Sequence, residues 1–391
     1  MLKRFRVQGF RTCHDVTLDN LGHVTALIGQ NGSGKTNLLR AVEDFARFTC
    51  SKDAPLEHFS DATSPLAIEA DINLNGCVYH YSGQLIRRFP GSIHIVPISE
   101  TLEINDDNGR RVLVERSGET VSVIGHSVIA SIGEVCCLSA LDALLPHTDA
   151  FKREHLQLLL SFFRSIRYYP LDEPNDLSGS FLTITAENFI SEAEYQNWVS
   201  GVDTHPLSRD SAVYLLLHAY KNAPSRLEDV KSLLGPAGLQ LIDDIKVLSQ
   251  DLISEQVYIV YFMPSVHLRG GRPLTFHQLS QGTRRIIRLV SSLVIDDTAV
   301  MLVEHPEDGI HRGLVKKLID LISSYANPKQ VILSTHSTTV MNALQPADIR
   351  LVTIEDGSTQ VRPLSPKEVA LAENYINEEG SLAEFIETVE G

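Results

Sequence analysis

The residues most plainly suited to chemistry are the eight from Gly29 to Thr36, Gly29-Gln30-Asn31-Gly32-Ser33-Gly34-Lys35-Thr36. They match the spacing G-x-x-x-x-G-K-[ST] at every fixed position. Gly29, Gly32 and Gly34 let the backbone bend, so that N–H groups of the loop, Asn31 and Ser33 included, turn inward onto phosphate oxygens. Lys35 is placed to reach β- and γ-phosphates as a point charge, and the Thr36 hydroxyl is a ligand type suited to Mg²⁺. The chemistry expected here is the binding of a nucleoside triphosphate, ATP, with Mg²⁺.

Such a loop needs a strand before it and a helix after it. Val24–Ile28 is apolar throughout and reads as a short buried strand. Leu38, Leu39, Val42 and Phe45 fall on one face of a helix that runs to about Phe48. That helix turns its positive N-terminal end toward the loop.

The second half of the chain supplies further polar groups at element ends. Ala299–Val303 is a five-residue apolar run, a buried parallel strand, and it is followed by Glu304. A carboxylate at the C-terminal end of such a strand can face the phosphates and hold Mg²⁺ through water. Val331–Leu333 is a second buried strand, and Ser334-Thr335-His336-Ser337 ends it with an imidazole suited to a γ-phosphate or an attacking water. Ser280-Gln281-Gly282 opens an amphipathic helix, Arg284–Val294, and offers a hydroxyl and backbone N–H groups to an anion. Singly, a core histidine or a plain helix cap explains each of these as well. Their order along the chain is the stronger signal.

The remaining sequence sets the frame. Leu2–Val7 and Val16–Leu18 read as strands; residues 66–74, 77–86 and 93–104 suggest antiparallel strands, with another pair over 111–124. From about 134 to 250 the pattern is helical, including amphipathic helices over 226–252 broken at Gly235-Pro236. Tyr168-Tyr169-Pro170-Leu171-Asp172-Glu173-Pro174 interrupts it as a loop or a return to the core sheet. Val257–Phe262 is β-rich, Leu314–Ile322 helical, 349–363 a pair of closing strands around Asp356-Gly357, and 366–378 a last helix. The expected fold class is α/β, a P-loop fold with a mixed or parallel core sheet, an antiparallel β lobe and a mainly helical insertion. The expected domains are an ATPase lobe over 1–133, the insertion over 134–255 and a second ATPase lobe over 256–391.

Composition narrows the function classes. The formal net charge is −15, which weighs against a surface coated for nonspecific DNA binding. Short basic clusters remain, Lys3-Arg4-Arg6-Arg11, Arg87-Arg88, Arg164-Arg167 and Arg284-Arg285-Arg288. Solvated charge is the commoner explanation for each. No apolar run is long enough to span a bilayer and no signal-peptide core opens the chain, so a cytoplasmic protein without membrane partners is expected. The five cysteines (13, 50, 77, 136, 137) show no metal spacing and read as thiols in a reducing compartment.

With these motifs in hand, the sequence resembles the ABC-type ATPases of the RecF/SMC-like branch, and more closely the small "AAA family ATPase" or OLD-like proteins. The resemblance rests on the phosphate loop near the N-terminus after Leu2–Phe10, a signature similar to Leu279-Ser280-Gln281-Gly282-Thr283-Arg284-Arg285, the strand ending at Glu304, the segment Pro306-Glu307-Asp308-Gly309-Ile310-His311, and Ser334–Ser337. It is specific over roughly 1–48 and 256–346; over 49–255 only the general layout matches. The resemblance implies that Lys35 and the backbone of 29–36 hold phosphate, that Thr36 and Glu304 serve Mg²⁺, and that His336 is the switch histidine. It implies that Ser280 and Gly282 cap the γ-phosphate of nucleotide held by a second subunit, hence an ATP-sandwiched homodimer.

One departure stands out. The family usually carries two adjacent acidic residues here, the second acting as general base on water. This chain has Val303-Glu304-His305, which puts His305 at the base position. A neutral imidazole can accept a proton near pH 7, so normal turnover and slow turnover both stay open, with Glu307 a spacing-level substitute. The leading functional expectation is an ATPase that dimerises around nucleotide and regulates a separate nuclease or toxic effector, plausible in bacterial anti-phage defence. Little sequence follows the switch segment, so that effector is expected on another chain. The alternatives are a RecF-like DNA-binding repair ATPase using Arg284, Arg285 and Arg288, and a nucleotide-gated switch with little hydrolysis; a transporter subunit ranks last.

Overall fold

The computed structural model describes residues 1–50, 66–87, 95–107, 109–123, 132, 135–170, 190–200, 212–254, 257–378 and 380–390. The chain forms two compact units, each discontinuous in sequence. Met1–Tyr169, Ala299–Pro306 and Ala326–Gly391 make the first; Pro170–Thr298 and Glu307–Tyr325 make the second.

From the N-terminus the first unit runs β1 (Leu2–Phe10), β2 (Cys13–Leu18), β3 (Val24–Ile28), α1 (Lys35–Cys50), β4 (Leu66–Leu74), β5 (Cys77–Arg87), β6 (Ile95–Asp106), β7 (Gly109–Ser117), β8 (Thr120–Ser122), α2 (Ala150–Arg164) and β9 (Ile166–Tyr169). The second unit follows with β10 (Ile190–Ser191), α3 (Glu192–Ser200), α4 (Ala212–Asn222), α5 (Pro224–Leu234), β11 (Ile242–Ser254), β12 (Val257–Leu268), β13 (Pro273–Thr275) and α6 (Gln281–Val294). The chain re-enters the first unit as β14 (Val300–Glu304) and leaves it for α7 (Arg312–Tyr325). It returns for β15 (Gln330–Thr335), β16 (Ile349–Glu355), β17 (Ser358–Pro363), α8 (Pro366–Glu378) and α9 (Leu382–Glu390).

The first unit holds two sheets among the described residues. The core sheet has the order β17-β16-β3-β15-β14-β9, parallel from β16 to β9 with β17 antiparallel at one edge. Every residue of β3, β14 and β15 is buried, as expected of strands covered on both faces. The other sheet, β2-β1-β4-β5-β6-β7-β8, is antiparallel throughout. Its strands alternate: in β4, Leu66, Ile68, Ala70 and Ile72 turn inward between more exposed neighbours. Helix α1 supplies much of the shared core. Phe45 lies 5.9 Å from the Phe5 ring, 4.8 Å from Tyr81 and 5.1 Å, edge-on, from Phe163. Burying one such ring contributes about 2–3 kcal/mol, so the helix that starts at Lys35 is fixed by its apolar face.

Two polar anchors lock this unit. Glu100, fully buried on β6, accepts from the Tyr81 hydroxyl (3.1 Å) and the Cys137 N–H (3.1 Å) and faces the Arg116 guanidinium at 3.7 Å. Burial raises its carboxyl pKa against the lowering pull of the Cys136 thiol, Cys137 and Arg116. Gln330, equally buried at the start of β15, accepts from Leu2 N–H (2.9 Å) and donates to the carbonyls of Leu2 (2.8 Å) and Gly22 (2.9 Å). One side chain thus ties β1, β15 and the turn before β3. Gln330→Ala is expected to cost about 2 kcal/mol, because it leaves a buried N–H unsatisfied. Urea unfolding followed by circular dichroism measures this, and a loss under about 0.5 kcal/mol, the scatter of an ordinary surface change, would contradict it.

In the second unit, β12 pairs with β10 on one side and β11 on the other, and β13 adds to β12. Tyr195, Val213, Tyr214, Leu217 and Phe262 form its own core, with Trp198 stacked on Tyr214 at 5.6 Å.

Most sequence-based elements are present within a residue or two at their ends. The helical reading of 226–252 is corrected: α5 ends at Leu234, and β11 occupies 242–254 in register with β12 from Ile242↔Leu268 to Ser254↔Val257. Its apolar residues Ile245, Leu248 and Leu252 also suit helical spacing, and long-range pairing decides the matter. The 168–174 segment begins as core strand β9. Its Leu171, Asp172, Glu173 and Pro174 lie outside the described residues, as do Arg88, 93–94 and 124.

Candidate functional site

The phosphate loop joins β3 to α1 in the middle of the core sheet, between β15 and β16. Its glycines answer to distinct demands. A methyl on Gly29 would sit 2.0 Å from the Val352 carbonyl oxygen of β16. Gly34 has φ +102°, and a methyl there would lie 2.0 Å from Thr359 Oγ1. Gly32, at φ +82°, has open space around it and is there for its backbone angle. Gly29→Ala is expected to destabilise the fold by about 3 kcal/mol, since a backbone oxygen held in a sheet cannot yield; thermal melting measures it. Asn31 and Gly32 are exposed at the tip, and Ser33 is buried, its hydroxyl without a hydrogen-bond partner. That orphaned hydroxyl and the glycine-shaped cradle fit an anionic group.

Lys35 is only 4% exposed, and its ammonium donates to the carbonyls of Gly29 (2.7 Å) and Gln30 (2.8 Å). It is therefore held inside the loop. Thr36 Oγ1 donates directly to Glu304 Oε1, across 268 positions of sequence. The other oxygen, Oε2, accepts from the Tyr168 hydroxyl of β9 at 2.6 Å. Hydroxyl and carboxylate oxygens are the donors a small hard cation such as Mg²⁺ takes, so Thr36 and Glu304 form a fitting set.

His305 follows Glu304 and turns the chain with φ +42°, its N–H donating to the Ser334 carbonyl at 2.9 Å. A non-glycine residue in the left-handed region is uncommon, and such strain gathers at functional sites. The His305 ring is buried and lies 4.8 Å from that of exposed His336, which follows β15. Because β14 and β15 pair Glu304 with Ser334, both imidazoles emerge at the same end of the sheet as the loop.

Ser280 and Gly282 belong to the second unit. Ser280 caps α6, its Oγ accepting from Thr283 N at 3.2 Å. Gly282 packs against a turn of the same unit, where a methyl would meet the Gly309 carbonyl at 2.0 Å. Glu307 falls in this unit as well.

Sequence reasoning missed two features. The first is Tyr168, which nothing but its place in an apolar–aromatic stretch marks. The second is a polar brace behind the loop: Thr359 Oγ1 donates to the Ser33 carbonyl (3.1 Å) and shares a hydrogen bond with Thr12 (2.8 Å). Asn37 in turn donates to Thr12 (2.9 Å) and accepts from Arg11 (3.0 Å). No local pattern links residues that far apart. Of the basic clusters, Arg4 and Arg6 are engaged by Glu69 and Asp15, consistent with an ordinary charged sheet face. Among the described residues no helix is long and apolar enough to cross a membrane.

The buried strand, the glycine loop and the helix after it, set in a mostly parallel sheet, define a P-loop fold. The sequence matches the family described as "AAA domain, putative AbiEii toxin, Type IV TA system" over residues 24–85 and 148–342, more than half of the chain, and the chain belongs to that family. The OLD nuclease of Thermus scotoductus is 51% identical over 43 residues, which take in 11% of this chain and 8% of that protein. The chain therefore matches under a tenth of that relative's length. The SMC head domain from Thermotoga maritima is similar at 15% identity and a TM-score of 0.42, over 93% of this chain and 99% of that one. An Smc head bound to the C-winged helix domain of ScpA gives 14%, 0.49, 94% and 99%.

Proposed function

We propose that this chain binds ATP with Mg²⁺ at the phosphate loop of its first unit, hydrolyses it, and uses the nucleotide state to govern a separate effector. The observation that carries the reading is the meeting of Thr36 and Glu304, which brings the end of the loop and the end of β14 to one point. On this reading the loop amides and Lys35 bind the phosphates, and Thr36 and Glu304 hold the cation. When bound, the cation supplies neutralisation of phosphate charge. His305 orients the attacking water and takes its proton on a ring nitrogen, and His336 hydrogen-bonds the γ-phosphate or that water. The lone pair of a neutral imidazole does the work a second carboxylate does elsewhere in the family.

Ser280, Gly282 and the first N–H groups of α6 serve nucleotide held by a second copy, which makes the ATP-bound form a homodimer. The family's description, which names a putative toxin and a type IV toxin–antitoxin system, supports a place for this ATPase beside a toxic effector, with defence against phage the proposed setting. The short likeness to a nuclease supports an effector of nuclease or toxin chemistry on another chain. The cytoplasm, where ATP is abundant, is the proposed compartment. A second reading, a nucleotide-gated assembly switch with slow turnover, is favoured by the imidazole in place of a carboxylate after Glu304.

Phosphate release by the purified protein with Mg-ATP, with mass from light scattering in the same samples, tests both. Turnover with an ATP-dependent dimer supports the first reading, and a dimer without phosphate release supports the second. Failure to bind ATP at all overturns both.

A further inference from the structure

Glu304 is a buried carboxylate whose two oxygens have separate partners. Thr36 takes Oε1 and Tyr168 takes Oε2. Tyr168 sits on β9, at the opposite end of the core sheet's strand order from β17 among the described residues, in register with Leu302 two residues before Glu304. It is 6% exposed. Its ring is covered by the Arg40 guanidinium at 4.1 Å, and Arg40 is itself held by Glu43 at 3.1 Å. Thr36 and Arg40 are four residues apart on α1 and so share one face of that helix. The contacts form a closed ring: Thr36 to Glu304, Glu304 to Tyr168, Tyr168 to Arg40, and back along α1.

A tyrosine that merely found a partner in the core would need no such arrangement. Here the same helix fixes the carboxylate at one oxygen and, through the tyrosine, at the other.

We propose that Tyr168 is a positioning residue that pins Oε2 of Glu304 and presents Oε1, on the Thr36 side, to the divalent cation that accompanies the nucleotide. The inference rests on the ATPase reading above. Partners of ligating carboxylates change metal affinity by about 10- to 100-fold when removed. Tyr168→Phe deletes one oxygen atom and keeps the ring beneath Arg40.

The test is a Mg²⁺ titration of the binding of a fluorescent ATP analogue to the full chain, with a parallel measurement in EDTA. For Tyr168→Phe the Mg²⁺ midpoint is expected to rise about tenfold, while affinity in EDTA stays within about twofold of wild type. In a Glu304→Gln background the same substitution is expected to shift the midpoint by less than about twofold, because the oriented carboxylate is already gone. An unchanged midpoint in the single variant overturns the inference while leaving the ATPase reading intact. So does an equal shift in both backgrounds, which is what a general packing role would give. A wild-type protein whose nucleotide binding ignores Mg²⁺ overturns the metal-site reading and this inference with it. Melting curves of each variant show that the comparison is made on folded protein.

Discussion

His305→Ala is expected to lower the turnover of ATP by about 100- to 10,000-fold, the range in which a positioned general base contributes, and to leave nucleotide affinity within about twofold. The reason is positional. His305 follows the Glu304 carboxylate at the end of β14 and is buried beside His336, so its ring stands at the loop end of the sheet. Histidine and alanine both carry a Cβ at φ +42°, but histidine is among the residues enriched in the left-handed region and alanine is not, so some loss of stability accompanies the substitution. His305→Asn separates the two effects, because asparagine tolerates the left-handed region while its amide is no base. It is expected to be as inactive as alanine and as stable as wild type. His305→Glu, which restores a carboxylate after Glu304, is expected to retain turnover. Steady-state phosphate release gives the rates, and an alanine variant that turns over within threefold of wild type would remove His305 from the chemistry.

Lys35→Ala is expected to weaken ATP binding by about 100-fold, the equivalent of losing charged hydrogen bonds worth about 3 kcal/mol, and to abolish nucleotide-dependent dimerisation at working concentrations. The ammonium is enclosed by the loop and already within hydrogen-bond reach of the Gly29 and Gln30 carbonyls. A point charge held there meets phosphate with little further ordering cost. Lys35→Arg is expected to fail almost as badly, since a planar fork does not fit a cradle built around a compact ammonium. Isothermal calorimetry with ATP reads the affinity. Equal affinities for wild type and alanine variant would mean that nucleotide, if bound, is bound elsewhere.

What could be read from sequence and what could not follow one physical line. The loop, Glu304 and His336 were legible because each sits at the end of a short, wholly apolar strand, and local composition marks both strand and terminus. The core strands β3, β14 and β15 were legible for the same reason. Tyr168 was not, because its importance lies in a partner on a neighbouring strand. Nor was the Arg11–Asn37–Thr12–Thr359 brace, whose members are common surface-type residues given a role only by the pairing of distant turns. The strand β11 was misread as helix where apolar spacing fits both periods and pairing with β12 decides.

The discontinuity of the first unit also has a bearing on how the chain is made. Synthesis runs from the N-terminus, and β1 through β8 complete one sheet while only β3 of the core sheet has emerged. The parallel neighbours of β3 are β15 and β16, so Val24 waits for Val331 and Ala26 for Ile349. Until then an apolar strand and the glycine loop that follows it have no sheet to join. Pairings so distant in sequence are slow to form and prone to aggregate while pending. The proposed nucleotide site is thus among the last features of the nascent chain to exist. A ribosome that stalls anywhere in the second unit releases a polypeptide with an intact phosphate-loop sequence and no working site.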